Sequence, residues 1–128
     1  MRTRRETEVA VRAIRGAIQL DRDDKDEVLR STAELLSKAL HANEIDTEAL
    51  ISVMFTATPD ITSEFPALAA RALGLGDVPL MCAVEMNVVG SMPRVIRLMA
   101  LVESDTPRRY IQHTYLRGAV QLRLDLAQ

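Results

Sequence analysis

Residues 94–102 constrain the fold most strongly, because they are apolar enough for a buried strand and yet carry Arg97 near their centre. A guanidinium is costly to bury unless it meets an anion. Charges also interrupt or close short apolar runs at Arg15, Glu85 and Arg123. Any one of them alone is compatible with a solvated strand face or a frayed strand end. Together these four charges predict a polar pocket built on strands.

Length and composition predict one domain with a substantial core. The chain has 128 residues, 48% of them hydrophobic, which suits a single globular domain. A net charge of −2 and only two Phe and two Tyr argue against a nucleic-acid partner, which would need a basic surface or stacking platforms. Residues 1–8 are basic at first and no apolar stretch follows them, so we expect a flexible N-terminal extension there and the domain over residues 9–128.

The few cysteine and histidine residues limit redox and metal chemistry. Cys82 is the single cysteine, which excludes an intramolecular disulfide and is typical of the reducing cytoplasm. His41 and His113 are far apart in sequence and have no neighbouring thiols, so no metal site is predicted. No segment reaches the roughly 18 uninterrupted apolar residues of a membrane-spanning helix, and we expect neither export nor a membrane partner.

Apolar periodicity predicts a two-layer α/β fold, of the α+β kind, with a mixed sheet of about five strands. A long amphipathic helix is predicted over residues 23–43, where acidic residues suit the helix N-terminus. Short helices are predicted from Pro66 to Gly74 and over residues 108–116. The predicted strands cover residues 9–15 (stopped by Gly16), 50–57, 78–84, 94–102 and 119–124. One long and two short helices leave apolar sheet surface uncovered, which favours assembly into an oligomer.

The residue types favour a site that binds carboxylates. A glycine-rich phosphate loop, a Gly-x-Ser-x-Gly elbow and paired cysteines are all missing from the sequence. Cys82 in an apolar strand is more typical of a packed or hydrogen-bonding thiol than of a nucleophile. His113 on a short helix is more typical of a surface histidine, or of one whose hydrogen bonding is satisfied, than of a general base. Several arginines suit a ligand with more than one carboxylate, and Glu85 would accept a hydrogen bond from a hydroxyl. The residues alone indicate a dicarboxylate pocket, and any reaction there would rely on conformational restraint and electrostatics.

Six short motifs follow one another in a fixed order between residues 9 and 126. They are Arg15-Gly16-Ala17; residues 52–60 ending in Ala57-Thr58-Pro59-Asp60; Phe65-Pro66-Ala67 through Arg71; Val78-Pro79 with Cys82 and Glu85-Met86; Ile96-Arg97; and Tyr115-Leu116 through Leu122-Arg123. Together they resemble the monofunctional, trimeric chorismate mutases of bacteria. The resemblance implies a homotrimeric pseudo-barrel with a site in each cleft between subunits. It also implies rearrangement of chorismate to prephenate without a cofactor, a metal or a covalent intermediate.

The resemblance also implies roles for individual residues. Arg97 would donate to the ether oxygen whose bond breaks, and Arg15 would bind a substrate carboxylate with help from Tyr115. Glu85 and Cys82 would hold the ring hydroxyl. The remaining implied positions form the apolar wall, the mouth and the lid of the site: Phe65, Ala67, Arg71, Leu122 and Arg123.

Two other functions remain open on the sequence. One is a non-catalytic trimeric module that binds a small dicarboxylate through the same arginines. The other is a trimeric enzyme of similar architecture acting on imines or keto acids, which needs an arginine but not the pairing of Glu85 with Arg97. The chain also departs from the family pattern, since Leu68 stands where members can carry a lysine, Met81 replaces a smaller polar residue and Leu124 replaces a proline.

Overall fold

A mixed five-stranded sheet organises residues 8–126, the part of the chain that the computed structural model describes. The strands are β1 (Ala10–Gln19), β2 (Leu50–Ala57), β3 (Leu80–Val84), β4 (Val95–Ser104) and β5 (Thr114–Leu116). Their order across the sheet is β3-β2-β4-β1-β5. The central strand β4 runs antiparallel to β1 and β2, while the outer pairs β1·β5 and β2·β3 are parallel. The predicted fold class is confirmed; the predicted extension lies, except for Glu8, outside the described residues.

Helices α1 (Lys25–Ala42) and α2 (Ala67–Ala72) cover one face of this sheet. A third helix, α3 (Val120–Leu126), lies on the opposite face, where Leu122 packs with Ala17 and Val95. Short 3₁₀ turns lie at Thr47–Ala49, Arg108–Tyr110 and Arg117–Ala119. Helix α1 begins at Asp24, whose carboxylate accepts the backbone N–H of Glu27 at 3.1 Å and so satisfies a helix-end donor. Its buried stripe, which includes Leu35, Leu36 and Ala39, packs on β1. This confirms the predicted amphipathic helix.

The two faces of the sheet differ in what they contact. The face under α1 and α2 is mostly buried and contributes Ile14, Ile18, Phe55, Ile96 and Leu98 to the core. The opposite face, called here the open face, carries apolar side chains that stay exposed within the described chain: Val11, Met54, Met81 and Met99 are 60%, 44%, 60% and 46% accessible. Successive strand residues alternate between the faces, so Arg15, Thr56 and Arg97 belong to the open face with them.

The C-terminal quarter of the chain differs from the prediction. The predicted helix over residues 108–116 is a 3₁₀ turn followed by strand β5, and the predicted strand over residues 119–124 belongs to helix α3. Thr114-Tyr115-Leu116 pair in parallel with Gly16–Ile18, and this tertiary pairing outweighs local helix propensity. Arg117 then turns the chain with φ of 55°. Arg123 therefore lies exposed on a helix and not inside an apolar strand.

Gly16 does not end the first strand, as the sequence suggested, but lies inside it. A side chain at this position would place its Cβ 3.1 Å from Leu35 Cδ1 and 3.2 Å from the Thr114 carbonyl oxygen. Glycine is needed because α1 and β5 approach the strand closely here. The consequence for the site is that Arg15 lies within β1, opposite Met99 of β4.

Candidate functional site

A hydrogen-bonded group of polar side chains interrupts the apolar open face. The Arg97 Nε lies 2.9 Å from Glu85 Oε2 and donates to Oε1 at 3.1 Å. The Thr56 hydroxyl donates to Glu85 Oε2 at 2.7 Å. The Glu85 side chain is 17% accessible and that of Arg97 is 44% accessible. The carboxylate is thus held from two sides, while much of the guanidinium remains available to a ligand.

Backbone pairing fixes the positions of these three residues. Arg97 of β4 lies directly opposite Thr56 of β2, so both side chains leave the same face of the sheet. Glu85 follows the last residue of β3, and its N–H donates to the Ala57 carbonyl at 2.9 Å, which extends the pairing beyond the strand. The Thr58 hydroxyl accepts the N–H of Val95 at 3.0 Å and ties the end of β2 to the start of β4.

A groove of about 260 Å³ continues from Arg97 across β1 to β5. Its lining includes the cationic and aromatic residues that the sequence singled out, together with open-face methionines: Arg15, Met54, Arg97, Met99 and Tyr115. We call Arg15, Thr56, Glu85, Arg97 and Tyr115 the arginine cluster. The structure therefore brings together four predicted site residues and adds Thr56, whose place in the alternating pattern of β2 was the only sequence signal for its role.

The C-terminal segment closes one end of this groove. Leu122 of α3 packs with Tyr115 against the buried side chains of Ala17 and Val95. Arg123 follows Leu122 and is exposed. Leu122, which is predicted for the lid, therefore packs beside the arginine cluster at Tyr115, and Arg123, which is predicted for the mouth, follows it in the chain.

His113 lies behind Arg15, directly before β5. Its Nδ1 accepts the backbone N–H of Arg15 at 2.9 Å. Burial and the positive charges of Arg15 and Arg123 lower the pKa of His113 below its ordinary value of 6.5, because each of them disfavours the imidazolium form. The predicted helix at this position is wrong, whereas a histidine with its hydrogen bonding satisfied agrees with the structure, since the ring is half-buried and accepts a hydrogen bond at the strand edge.

The other predicted residues form a second group at the opposite edge of the sheet. A concavity of about 360 Å³ between α2 and β3 is lined by Phe65, Ala67, Arg71 and Cys82, which we call the α2–β3 cluster. Phe65 is 69% accessible, an unusual exposure for an aromatic side chain. Cys82 pairs with Phe55 and packs against the helix-covered core. No residue lines both this concavity and the groove of the arginine cluster.

The described residues provide neither a metal-binding group nor a membrane-spanning helix. Within residues 8–126 no three histidine, cysteine or acidic side chains are grouped closely enough to hold a metal ion. In that same range, no helix combines the length and the apolar character needed to cross a bilayer.

Comparison with known proteins gives a consistent result. The family model for chorismate mutase type I matches residues 11–126. Chorismate mutase AroH of Thermus thermophilus is 52% identical over 117 residues, which cover 91% of this chain and 96% of that protein. Chorismate mutase AroH of Bacillus subtilis is 41% identical over 118 residues, covering 91% and 93%. A solved chorismate mutase from Clostridium thermocellum superposes with a TM-score of 0.84 at 38% identity and covers 85% of this chain and 97% of that one.

Proposed function

The chain belongs to the chorismate mutase type I family, and on this premise we propose that its arginine cluster converts chorismate to prephenate. The enzyme is an isomerase, and its reaction breaks one ether C–O bond while a new C–C bond forms within the same molecule. The observation that carries the assignment of the site is the grouping of Arg15, Arg97 and Glu85 on one largely apolar sheet face.

Charge complementarity supports a dicarboxylate substrate. Arg15 and Arg97 line one groove, and Arg123 lies close enough to its β5 end to act on His113. These three arginines and the carboxylate of Glu85 have a net charge of +2, which balances the two negative charges of a dicarboxylate substrate. Planar guanidinium groups bind carboxylates through two parallel hydrogen bonds. We assign Arg15 and Tyr115 to one substrate carboxylate and Arg123 to the mouth.

Arg97 is the residue we assign to the breaking bond. As the C–O bond lengthens, negative charge accumulates on the ether oxygen, and a fixed donor that strengthens its contact at that moment lowers the barrier. Glu85 takes the Nε edge of Arg97, which orients the guanidinium plane and leaves its terminal amino groups to face the substrate. An oriented donor in a site closed to water needs little reorganisation during the reaction.

Glu85 has a second role in this proposal. Its carboxylate accepts from both Arg97 and Thr56 and retains lone pairs for the ring hydroxyl of the substrate. Holding the ring at this hydroxyl and the side chain at Arg97 keeps the enolpyruvyl ether in its reactive shape. This restraint removes conformational entropy from the barrier.

We propose that two copies of the chain complete each site. The α2–β3 cluster contains the remaining substrate-contacting candidates, Phe65, Ala67, Arg71 and Cys82, yet it lines a separate concavity. Two different surface patches that meet across an interface form a head-to-tail contact, which closes into a ring. A homotrimer of this kind would bury the apolar open face and bring the α2–β3 cluster of one subunit to the arginine cluster of the next.

The test is whether the purified protein converts chorismate to prephenate. The reaction is monitored by the loss of chorismate's ultraviolet absorbance, and prephenate is identified by its conversion to phenylpyruvate in acid. We expect metal-independent turnover, and Arg97→Ala should lower kcat by at least about 10²-fold, the scale for one preorganised donor. Arg30→Ala, at an exposed position of α1, is the matched control and should keep native turnover. Binding of chorismate without product would refute the enzymatic assignment and favour a binding module.

A further inference from the structure

The imidazole of His113 takes the place of a strand partner for Arg15. Strand β5 begins at Thr114, which is paired with Gly16, so β1 extends past the start of its neighbour at Arg15. There the backbone N–H of Arg15 donates to His113 Nδ1 at 2.9 Å. A nitrogen that accepts this hydrogen bond carries no proton, which leaves the proton of the neutral ring on Nε2.

The segment that carries His113 is itself held in place. The Asn43 amide at the end of α1 donates to the Gln112 carbonyl at 2.9 Å, and its oxygen accepts the Gln112 N–H at 2.7 Å. The same amide nitrogen donates to the Ala39 carbonyl at 2.8 Å. These contacts fix the backbone one residue before His113, so the ring is anchored to α1 through a neutral group.

Two charges among the described residues act on this ring, and both favour its neutral form. Arg15 approaches from β1 and Arg123 from α3, and both are cationic. From α1 the segment is contacted by the uncharged Asn43, and on its own strand the next ionisable group is the phenol of Tyr115. A proton on Nδ1 would therefore point a donor at the Arg15 N–H and add a third positive charge beside two others.

We propose that His113 is a positioning residue for Arg15: its neutral imidazole fixes the backbone of Arg15 and thereby aims the guanidinium at the substrate carboxylate. The inference rests on the proposed function, which assigns that carboxylate to Arg15. His113 acts through Arg15 and not through Arg97, so it should affect capture of the substrate more than the rate of the chemical step.

The kinetic test compares two replacements of His113 with a control at His41, the other histidine of the chain, which is exposed on α1. The amide oxygen of His113→Asn can accept the Arg15 N–H but does not titrate, whereas His113→Leu fills similar space and accepts nothing. We expect His113→Leu to raise KM by about tenfold, the scale for one unpaired backbone donor, with kcat within about twofold of native. His113→Asn and His41→Asn should keep the native KM at pH 7.5.

The pH profile between 5 and 8 gives the readout that a purely structural role would not produce. Native KM should rise as the pH falls through the titration of His113, because protonation removes the acceptor, and His113→Asn should abolish this rise. The proposal is overturned if KM of His113→Leu equals that of the native enzyme, if the acid rise persists in His113→Asn, or if native KM falls on acidification.

Nitrogen NMR of the full chain without substrate separates this proposal from the proposed function. We expect the His113 Nδ1 signal in the unprotonated, hydrogen-bonded range and Nε2 in the protonated range at pH 7.5, with His41 as internal reference. A protonated Nδ1 would refute the contact whatever the enzyme does. A correct tautomer together with no turnover of chorismate would refute the proposed function and, with it, the role assigned to Arg15. If His113→Leu fails to fold, His113→Asn and the NMR signal still decide.

Discussion

Subunit mixing tests whether each active site is shared between two chains. The first variant, Arg97→Ala, damages the arginine cluster and leaves the α2–β3 cluster intact. The second, Phe65→Ala with Arg71→Ala, does the reverse. Each homo-oligomer should be nearly inactive, because every site in it contains one damaged half. Coexpression with two different affinity tags, followed by purification on both, isolates rings that contain both variants.

The expected recovery follows from the head-to-tail geometry. In a ring of three subunits, only one boundary joins an intact arginine cluster to an intact α2–β3 cluster, whichever variant is present twice. Mixed rings should therefore recover about one third of the native kcat per trimer, with native KM at the restored site. A head-to-tail pair of two subunits would instead recover about one half, so the recovered fraction also reports the ring size.

A matched control uses two lesions in the same half of the site. Arg97→Ala coexpressed with Arg15→Ala gives rings in which every arginine cluster is damaged, and these should stay inactive after the same purification. The assay is initial velocity of chorismate loss, normalised to protein mass. It is measured at saturating substrate for the first mixture and well below the native KM for the control, where weaker capture of the substrate by Arg15→Ala also lowers the velocity. Absence of recovery in the first mixture would refute the shared site, and recovery in the control would show that Arg15 and Arg97 serve different sites.

Three further predictions follow from single contacts. Glu85→Gln should lower kcat/KM by about 10²-fold, because it weakens the hydrogen bonds that residue 85 accepts from Arg97 and from the substrate hydroxyl. A native value of kcat/KM would rule out both roles of Glu85. Gly16→Val should lower the free energy of unfolding by about 1–3 kcal/mol in urea titration, since its side chain would meet Leu35 and the Thr114 carbonyl; an unchanged midpoint would contradict the close approach. The pKa of His113 is lowered in the folded chain, so the unfolded chain binds more protons below pH 6.5. The free energy of unfolding should therefore fall as the pH falls from 6.5, and it should fall less for His113→Asn. Parallel pH curves for the two proteins, measured by urea titration, would contradict the lowered pKa.

Much of the sheet could be predicted from sequence because its longer elements have clear patterns. The alternation in β2 (Leu50–Ala57) and the apolar stripe of α1 (Lys25–Ala42) each repeat over several residues, and core burial then acts in the same direction as local propensity. Pro66 at the start of α2 is likewise a strong local signal, and the structure places it at the N-cap.

The C-terminal segment could not be predicted because tertiary contacts decide its structure. Strand β5 has only three residues, too few for a periodicity to be read, and it exists through pairing with Gly16–Ile18. Helix α3 follows Arg117, whose guanidinium donates to the Ser31 hydroxyl at 3.0 Å and to Glu34 at 3.3 Å. Nothing in the local sequence around residue 117 indicates these partners on α1.

The candidate site shows the same division between local and tertiary information. The cost of desolvating a charge made Arg97 conspicuous in an apolar run, and its pairing with Glu85 is the kind of partner that such a charge needs. The hydrogen bonds from Thr56 to Glu85 and from Arg15 to His113 depend on which strands are neighbours in the sheet. Strand order cannot be predicted from any single segment of the sequence. The sequence therefore singled out Arg15, Glu85 and Arg97, which the structure brings together, but not what positions them.

The apolar surroundings of the arginine cluster link assembly to catalysis. Met54 and Met99 beside Arg97 are 44% and 46% accessible in the single chain, so water reaches the guanidinium and weakens its electrostatic effect. Covering the open face with a second copy would exclude that water. The cost of desolvating Arg97 is partly offset by Glu85, and the positive charges of Arg15 and Arg123 would be neutralised by an anionic ligand. A site that loses water on assembly and keeps an excess of positive charge would bind a dianion. It would bind the transition state most strongly, because negative charge then builds up on the ether oxygen. If a second copy covers the open face, Met54 and Met99 would act in catalysis as well as in assembly, because they would set the dielectric around Arg97.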